Sequence, residues 1–112
     1  MDVVFSTSKL RRECNDAKVR SRRYGTRRAA LIQRRIDEIR AAGVLEDVRH
    51  IPGPRCHELT GDRKGQISVD LDHPYRLLFE PANDPIPRKP DGGLDWNQVT
   101  AVRILEVTDT HG

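Results

Sequence analysis

The sequence is short of cysteines and of long apolar runs, and each shortage excludes a class of protein. Its 112 residues contain two cysteines, Cys14 and Cys56, which are too few for a disulfide framework and lack the spacing of metal ligands. We therefore expect two free thiols and no metal site. No apolar run approaches the roughly 20 residues that cross a bilayer, which excludes a transmembrane protein.

We also expect no secretory signal, because the segment before Cys14 carries an acid at Asp2 and has no apolar stretch. We expect a cytoplasmic protein. A length of 112 residues fits one domain, residues 1–112, with a modest single core. Hydrophobic residues make up 36% and charged residues 33% of the chain, a composition typical of neither disordered nor membrane proteins.

Positive charge is concentrated in the first third of the chain. Residues 9–40 hold twelve Lys and Arg side chains against four acids, although the net charge of the whole chain is +3. Such a block favours a polyanionic partner, since each base that neutralises a phosphate releases counterions. The arginines that we single out for RNA or ribosome binding are Arg22, Arg23, Arg27 and Arg28. The competing interpretation is a solvated helical face that is rich in arginine.

Apolar residues recur at helical spacing through this basic block. A short strand over residues 3–6 precedes a predicted helix over residues 8–24, which ends at Gly25. A second helix is predicted to run to about residue 42, where Gly43 ends it. The apolar face of the first helix contains Leu10, Cys14, Ala17 and Tyr24, and that of the second contains Ala29, Ile32, Ile36 and Ile39. The two antiparallel helices form a basic hairpin.

After Gly43 the apolar pattern changes from helical to alternating. Strands are predicted over residues 55–60, 66–71, 75–80 and 99–108, with a hairpin turn over residues 61–65. Residues 81–97 have no periodicity and hold four of the seven prolines, which indicates a surface excursion. The order of elements predicts an α+β fold, in which the N-terminal helical hairpin packs on one side of a curled antiparallel sheet.

Polar residues on the strands and turns could support chemistry on RNA. Metal-free RNA cleavage needs a base for the 2′-hydroxyl proton, an acid for the leaving oxygen, and cations for the charged phosphorane. Two histidines and several arginines can supply all three functions. The competing interpretation is an ordinary strand histidine, a frayed terminal histidine and basic residues that only keep a turn soluble. The residues concerned are Arg55, His57, Arg63, Lys64, Arg76, Asp109 and His111.

The run CHELTGDRKGQISVDLDHPYRLLFE, with VTAVRILEVTDTHG at the end of the chain, resembles the HigB-type toxins of the RelE/ParE toxin–antitoxin superfamily. These are also called plasmid maintenance killer proteins. Their usual pattern is a His-x-Leu-Lys-Gly-x-Arg-x-Gly hairpin, a Ser-Ile/Val strand, a Trp/Tyr-Arg-Ile/Leu-x-Phe strand and a terminal Asp-Tyr-His. The matching positions are His57, Leu59, Gly61, Arg63, Gly65, Ser68, Tyr75, Arg76, Phe79, Asp109 and His111.

This resemblance implies a RelE/ParE-like fold and a ribosome-dependent mRNA endonuclease, an mRNA interferase, that cleaves by 2′-hydroxyl attack without metal or cofactor. It implies catalytic roles for His57, Arg76, Asp109 and His111. RNA or ribosome contacts are expected at Arg55, Thr60, Arg63, Lys64 and Thr110, besides the helix arginines. The implied partners are a cognate helix-turn-helix antitoxin of the HigA type, the 70S ribosome and mRNA, with operator DNA bound through the antitoxin alone.

Two positions depart from the family's pattern, because Thr60 replaces its usual lysine and Thr110 its usual tyrosine. Threonine donates one neutral hydrogen bond but has neither charge nor ring, so Arg55, Arg63 or Lys64 would have to compensate, or the activity would be weak. Two alternatives therefore stay open. One is a gyrase-poisoning toxin of the ParE kind, and the other is a catalytically degenerate toxin that binds its antitoxin and helps to regulate their operon.

Overall fold

The computed structural model describes residues 1–110 and has the expected α+β organisation. Four α-helices, a 3-10 turn and five strands occur within these residues. In chain order they are β1 (Asp2–Phe5), α1 (Ser8–Asn15), α2 (Ala17–Tyr24), α3 (Thr26–Ala41), α4 (Leu45–Arg49), β2 (His57–Glu58), the 3-10 turn (Gly61–Arg63), β3 (Ile67–Asp70), β4 (Tyr75–Pro81) and β5 (Ala101–Asp109).

The five strands form one sheet in the order β1-β5-β4-β3-β2. Strands β2 to β5 pair with antiparallel neighbours, but β1 runs parallel to β5, with Asp2 opposite Ala101. The predicted antiparallel sheet therefore needs one correction, since β1 makes the sheet mixed. The alternating pattern that supported it came from the second half of the chain, which contains no information on the direction of β1.

The predicted helix over residues 8–24 is two helices, because the chain breaks at Asp16. The Asp16 carboxylate accepts hydrogen bonds from the backbone N–H groups of Lys18 and Val19, at 3.0 and 3.2 Å, and so caps α2. The hydrogen bond from Val19 is the main reason that the pKa of Asp16 is lowered. An Asp side chain that caps in this way competes with continuous helix. Ala17, which was predicted on the apolar face, is exposed.

A third correction concerns α4, since alternation was expected after Gly43. The Asp47 carboxylate accepts from the backbone N–H groups of Gly43 and Val44, both at 3.3 Å, and starts this short helix. Leu45 and Val48 of this helix are buried. Five residues are too few to show a helical period in the sequence, which explains why the helix was missed.

The predicted excursion between β4 and β5 is partly core rather than surface. Leu94 and Trp96 are buried, and the guanidinium of Arg49 lies 3.7 Å from the centre of the Trp96 ring. The backbone N–H of Glu46 donates to the Trp96 carbonyl at 3.1 Å. Contacts with α4 therefore hold the excursion in place. It leaves the sheet at the C-terminal end of β4 and rejoins it at the start of β5.

The core lies between α3 and one face of the sheet. Ile32, Ile36 and Ile39 are fully buried in one cluster with Leu77 and Phe79 of β4, as the helical and alternating patterns predicted. Burial of each such side chain contributes about 1.5–3 kcal/mol. Within residues 1–110, no helix has the length and apolar character needed to cross a membrane.

A polar contact ties α3 to the turn between β3 and β4. Arg28 donates to both oxygens of Asp72, at 2.9 and 3.1 Å, and its guanidinium lies 3.5 Å from the centre of the Tyr75 ring. These hydrogen bonds from Arg28 are the main cause of the lowered pKa of Asp72. A carboxyl group whose pKa is lower in the folded state stabilises the fold above its unfolded pKa, and that stabilisation is lost in acid.

We predict that Asp72→Asn lowers the free energy of unfolding by about 1 kcal/mol at neutral pH, since it removes a charge-assisted pair that is largely shielded from water. The difference from wild type should shrink as pH falls below 3.8, the ordinary pKa of the group, and vanish below its folded-state pKa. Urea unfolding at several pH values measures this. The control is Asp62→Asn at an exposed position; equal losses in both variants would contradict the prediction.

Candidate functional site

The sheet face that points away from the helices carries His57 and Arg76, two of the predicted site residues. Residues opposite each other on neighbouring strands share a face, so the pairing register defines its rows. One row runs across four strands and the next across three. We call this side of the sheet the outer face, although Ser68 and Leu78 are fully buried within it. Its residues are His57, Ser68, Leu78 and Glu106 in the first row and Asp70, Arg76 and Thr108 in the second.

Two arginines and one carboxylate meet at one end of the outer face. Nε of Arg76 lies 3.2 Å from Oδ1 of Asp70, and its Nη1 donates to Oγ1 of Thr110 at 2.9 Å. Nε of Arg55 lies 3.6 Å from the other Asp70 oxygen. We call Arg55, Asp70, Arg76 and Thr110 the arginine cluster. Two cations share one anion there, so the cluster keeps a net positive charge.

The backbone of Asp70 is fixed from both sides. Its N–H donates to the carbonyl of Pro54 at 2.7 Å, and its carbonyl accepts from Nε of Arg35 on α3, also at 2.7 Å. The Arg35 guanidinium is largely buried and binds Glu38 as well, at 2.7 Å. Asp70 was not among the predicted site residues. Its alternation with Ser68 placed it on a strand, but only the register with β4 shows that it faces Arg76.

His57 lies on β2 next to the arginine cluster. It is exposed, and it pairs with Ser68, so it is a diagonal neighbour of Asp70 at a typical spacing of about 7 Å. Nδ1 of the imidazole is 2.9 Å from the carbonyl oxygen of Arg55. The structure therefore places a histidine and two guanidiniums near one another on this side of the sheet.

The two basic residues that were predicted on the hairpin turn, Arg63 and Lys64, lie in different environments. Nη1 of Arg63 lies 3.8 Å from a carboxylate oxygen of Glu106, so Arg63 reaches the first row of the outer face. Lys64 instead lines a cavity of about 190 Å³ with Arg88 of the excursion, near the other end of β4. Thr60 precedes the turn and is exposed.

The end of β5 is only partly brought to the site. Thr110 joins the arginine cluster through Arg76. Asp109 pairs with Tyr75, whose alternation with Leu77 turns it to the helix side, so Asp109 is not on the outer face. Its catalytic role stays a prediction without support from this placement. His111 lies outside the described residues.

The four predicted helix arginines have different environments. Arg28 is held by Asp72, and Nε of Arg23 lies 3.2 Å from Glu13. Arg22 and Arg27 are exposed. Fewer positive charges are therefore available to a polyanion than the number of Lys and Arg residues in this region suggests.

A cavity of about 160 Å³ adjoins the arginine cluster. Arg55, Asp70, His73, Tyr75 and Arg76 contribute to its lining. Guanidinium groups bind phosphate oxygens with two parallel hydrogen bonds, so this concavity suits a phosphodiester. An imidazole ring can serve as a proton acceptor or donor, and His57 lies beside the cluster. The arrangement can therefore hold a phosphate group and move a proton beside it.

The two cysteines are unsuited to nucleophilic chemistry. Both are free thiols, as expected, and both are buried. Burial raises the pKa of Cys14 to about 11 and that of Cys56 to about 12, which keeps them protonated. In residues 1–110, no three His, Cys, Asp or Glu side chains gather as a metal ion would require.

Comparison with known proteins gives a likeness of fold but no match of sequence. No family model matches the sequence, and no curated protein does either. Among solved structures, a YoeB/ParE toxin from Agrobacterium tumefaciens aligns with a TM-score of 0.57 and 13% identity, over 97% of this chain and 98% of that one. The chain has the fold of that toxin. The predicted RelE/ParE-like fold is thus confirmed, whereas the HigB subtype stays a prediction.

We predict that Arg76→Ala weakens the binding of a short single-stranded RNA about tenfold or more, because a hydrogen bond to a charged group contributes about 1.5–3 kcal/mol. Titration at low salt, followed by NMR, measures the loss. The matched control is Arg103→Ala. Arg103 lies on the same sheet as part of an ion pair, 3.2 Å from Glu80, but opposite the far end of β4. A similar loss in both variants would show that binding follows net charge alone.

Proposed function

We propose that this protein is the toxin of a type II toxin–antitoxin system and that it acts as a ribosome-dependent mRNA endonuclease. The observation that carries the proposal is the arginine cluster beside His57, on a fold shared with a protein titled YoeB/ParE toxin. The HigB-type resemblance supports the same activity. A toxin of this kind implies an antitoxin partner, and the resemblance favours one of the helix-turn-helix HigA type, through which operator DNA would be bound.

In the proposed reaction, His57 accepts the proton of the 2′-hydroxyl group as its oxygen attacks the adjacent phosphorus. The bond from phosphorus to the 5′-oxygen breaks, which leaves a 2′,3′-cyclic phosphate on one product and a 5′-hydroxyl on the other. Arg76 and Arg55 stabilise the extra negative charge of the phosphorane. His111 is proposed, from the resemblance, to protonate the leaving 5′-oxygen.

The two departures from the family's pattern can now be related to positions in the fold. Thr110 accepts a hydrogen bond from Arg76, so it helps to hold the guanidinium even without a ring to stack on a base. Of the three proposed substitutes for the missing lysine, Arg55 lies in the arginine cluster and Arg63 reaches the outer face. Lys64 lines the cavity at the other end of the sheet, so compensation by the arginines is better supported.

One observation favours the binding-module alternative as a second candidate. Asp70 already forms an ion pair with Arg76 at 3.2 Å, with the side chains of Arg76 and Asp70 only 17% and 22% exposed. A substrate phosphate must share Arg76 with this carboxylate. If it cannot, the cluster serves the fold, and the protein acts by binding its antitoxin.

Inducible expression followed by primer extension on translated mRNA tests the proposal. We expect growth arrest and cleavage within codons for wild type and Arg103→Ala, and neither for Arg76→Ala, since the phosphorane would lose its principal cation. Arrest without mRNA cleavage would point to the gyrase-poisoning alternative. Absence of both in wild type would favour the binding module.

The basic helices are proposed to supply ribosome affinity. We predict that the double variant Arg22→Gln/Arg27→Gln binds ribosomes more weakly and with a flatter salt dependence, because each lost phosphate contact reduces the slope by roughly 1. Sedimentation with ribosomes across a salt series measures this. The control, Arg88→Gln/Lys89→Gln, removes the same charge from exposed positions of the excursion. Equal slopes in the two double variants would contradict the prediction.

A further inference from the structure

Arg55 has a backbone conformation that is rare for a residue with a side chain. Its φ angle is +51°, and every other positive φ angle in residues 1–110 belongs to a glycine. A left-handed conformation brings Cβ close to the following carbonyl, so it persists only where neighbouring contacts impose it. Those contacts are present on both sides, since Pro54 accepts from the backbone of Asp70 and His57 pairs with Ser68.

This conformation orients two groups of Arg55 toward the site. The side chain lies beside Asp70, at 3.6 Å, and the carbonyl oxygen lies 2.9 Å from Nδ1 of His57. A carbonyl oxygen can only accept a hydrogen bond, so Nδ1 must carry the proton. In the neutral ring, Nε2 is then the unprotonated nitrogen.

We propose that Arg55 is a positioning residue whose strained backbone fixes the tautomer of His57 and presents Nε2 as the proton acceptor. The inference rests on the proposed function, in which His57 takes the proton of the 2′-hydroxyl group. When Nε2 takes that proton, the ring becomes an imidazolium. The Arg55 carbonyl then accepts a hydrogen bond from a charged donor, which is stronger than one from the neutral ring.

Two substitutions separate the backbone of Arg55 from its guanidinium. Arg55→Asn removes the charge but tolerates the left-handed conformation, whereas Arg55→Val also removes the charge and disfavours that conformation. Arg55→Ala is a milder version of the second change and replaces it if the valine variant does not fold. Nitrogen-15 NMR of the imidazole ring reports which ring nitrogen carries the proton in each variant, without any RNA. His50, an exposed histidine that lies 3.2 Å from Glu46, is the internal control.

We expect the Nδ1-protonated tautomer of His57 in wild type and in Arg55→Asn, and a mixture of tautomers in Arg55→Val. On programmed ribosomes at saturating concentration, Arg55→Val should lower the single-turnover cleavage rate about tenfold further than Arg55→Asn. Tenfold is part of the roughly 10²- to 10⁴-fold that a positioned general base contributes, because the ring is still present but the proton acceptor is presented only part of the time. A protonated Nε2 in neutral wild type, or equal spectra and rates in the two variants, would overturn the inference. If the spectra are as predicted but neither wild type nor any variant cleaves mRNA, the positioning of His57 would be supported and the proposed function would be refuted.

Discussion

The outer face depends on the pairing register between β3 and β4. Asp70 lies opposite Arg76 in that register, while Val69 lies opposite Leu77 with both side chains fully buried on the helix side. A shift of one residue would turn Arg76 into the core and expose its apolar neighbours, because side chains alternate between the two faces of a sheet. The apolar core that α3 covers therefore decides which polar side chains meet on the opposite surface.

Arginine has two separate uses in this chain. The guanidinium of Arg20 is buried and donates to the carbonyl of Cys14 at the end of α1, where a cation is favourable. Arg28 and Arg35 connect α3 to the polar groups of Asp72 and Asp70. Each of these arginines lies within the basic block of residues 9–40, yet each serves to stabilise the fold. The charge available to a polyanion belongs to the residues that the helices leave exposed.

Local patterns in the sequence were sufficient for the main layers but not for their connections. The isoleucines of α3 and the alternation along β4 reflect burial over long segments, so both elements could be predicted from the sequence. The break at Asp16 and the short helix α4 depend on single side-chain caps, which compete with regular structure over a few residues. The contact of Asp70 with Arg76 depends on cross-strand register, and the backbone of Arg55 depends on tertiary contacts. Neither leaves a periodic signal.

The small net charge of the arginine cluster limits how tightly this site alone could hold RNA. Arg55 and Arg76 share Asp70, so the cluster keeps one net positive charge to attract one phosphodiester. Such a pair at contact distance contributes between about 1 kcal/mol in bulk water and about 4 kcal/mol near a protein surface. Since a millimolar dissociation constant already corresponds to about 4 kcal/mol, the cluster alone would hold RNA only weakly. On the proposed function, the outer face can therefore act on RNA only where another surface holds the protein against it, and the exposed arginines of the helices supply that surface.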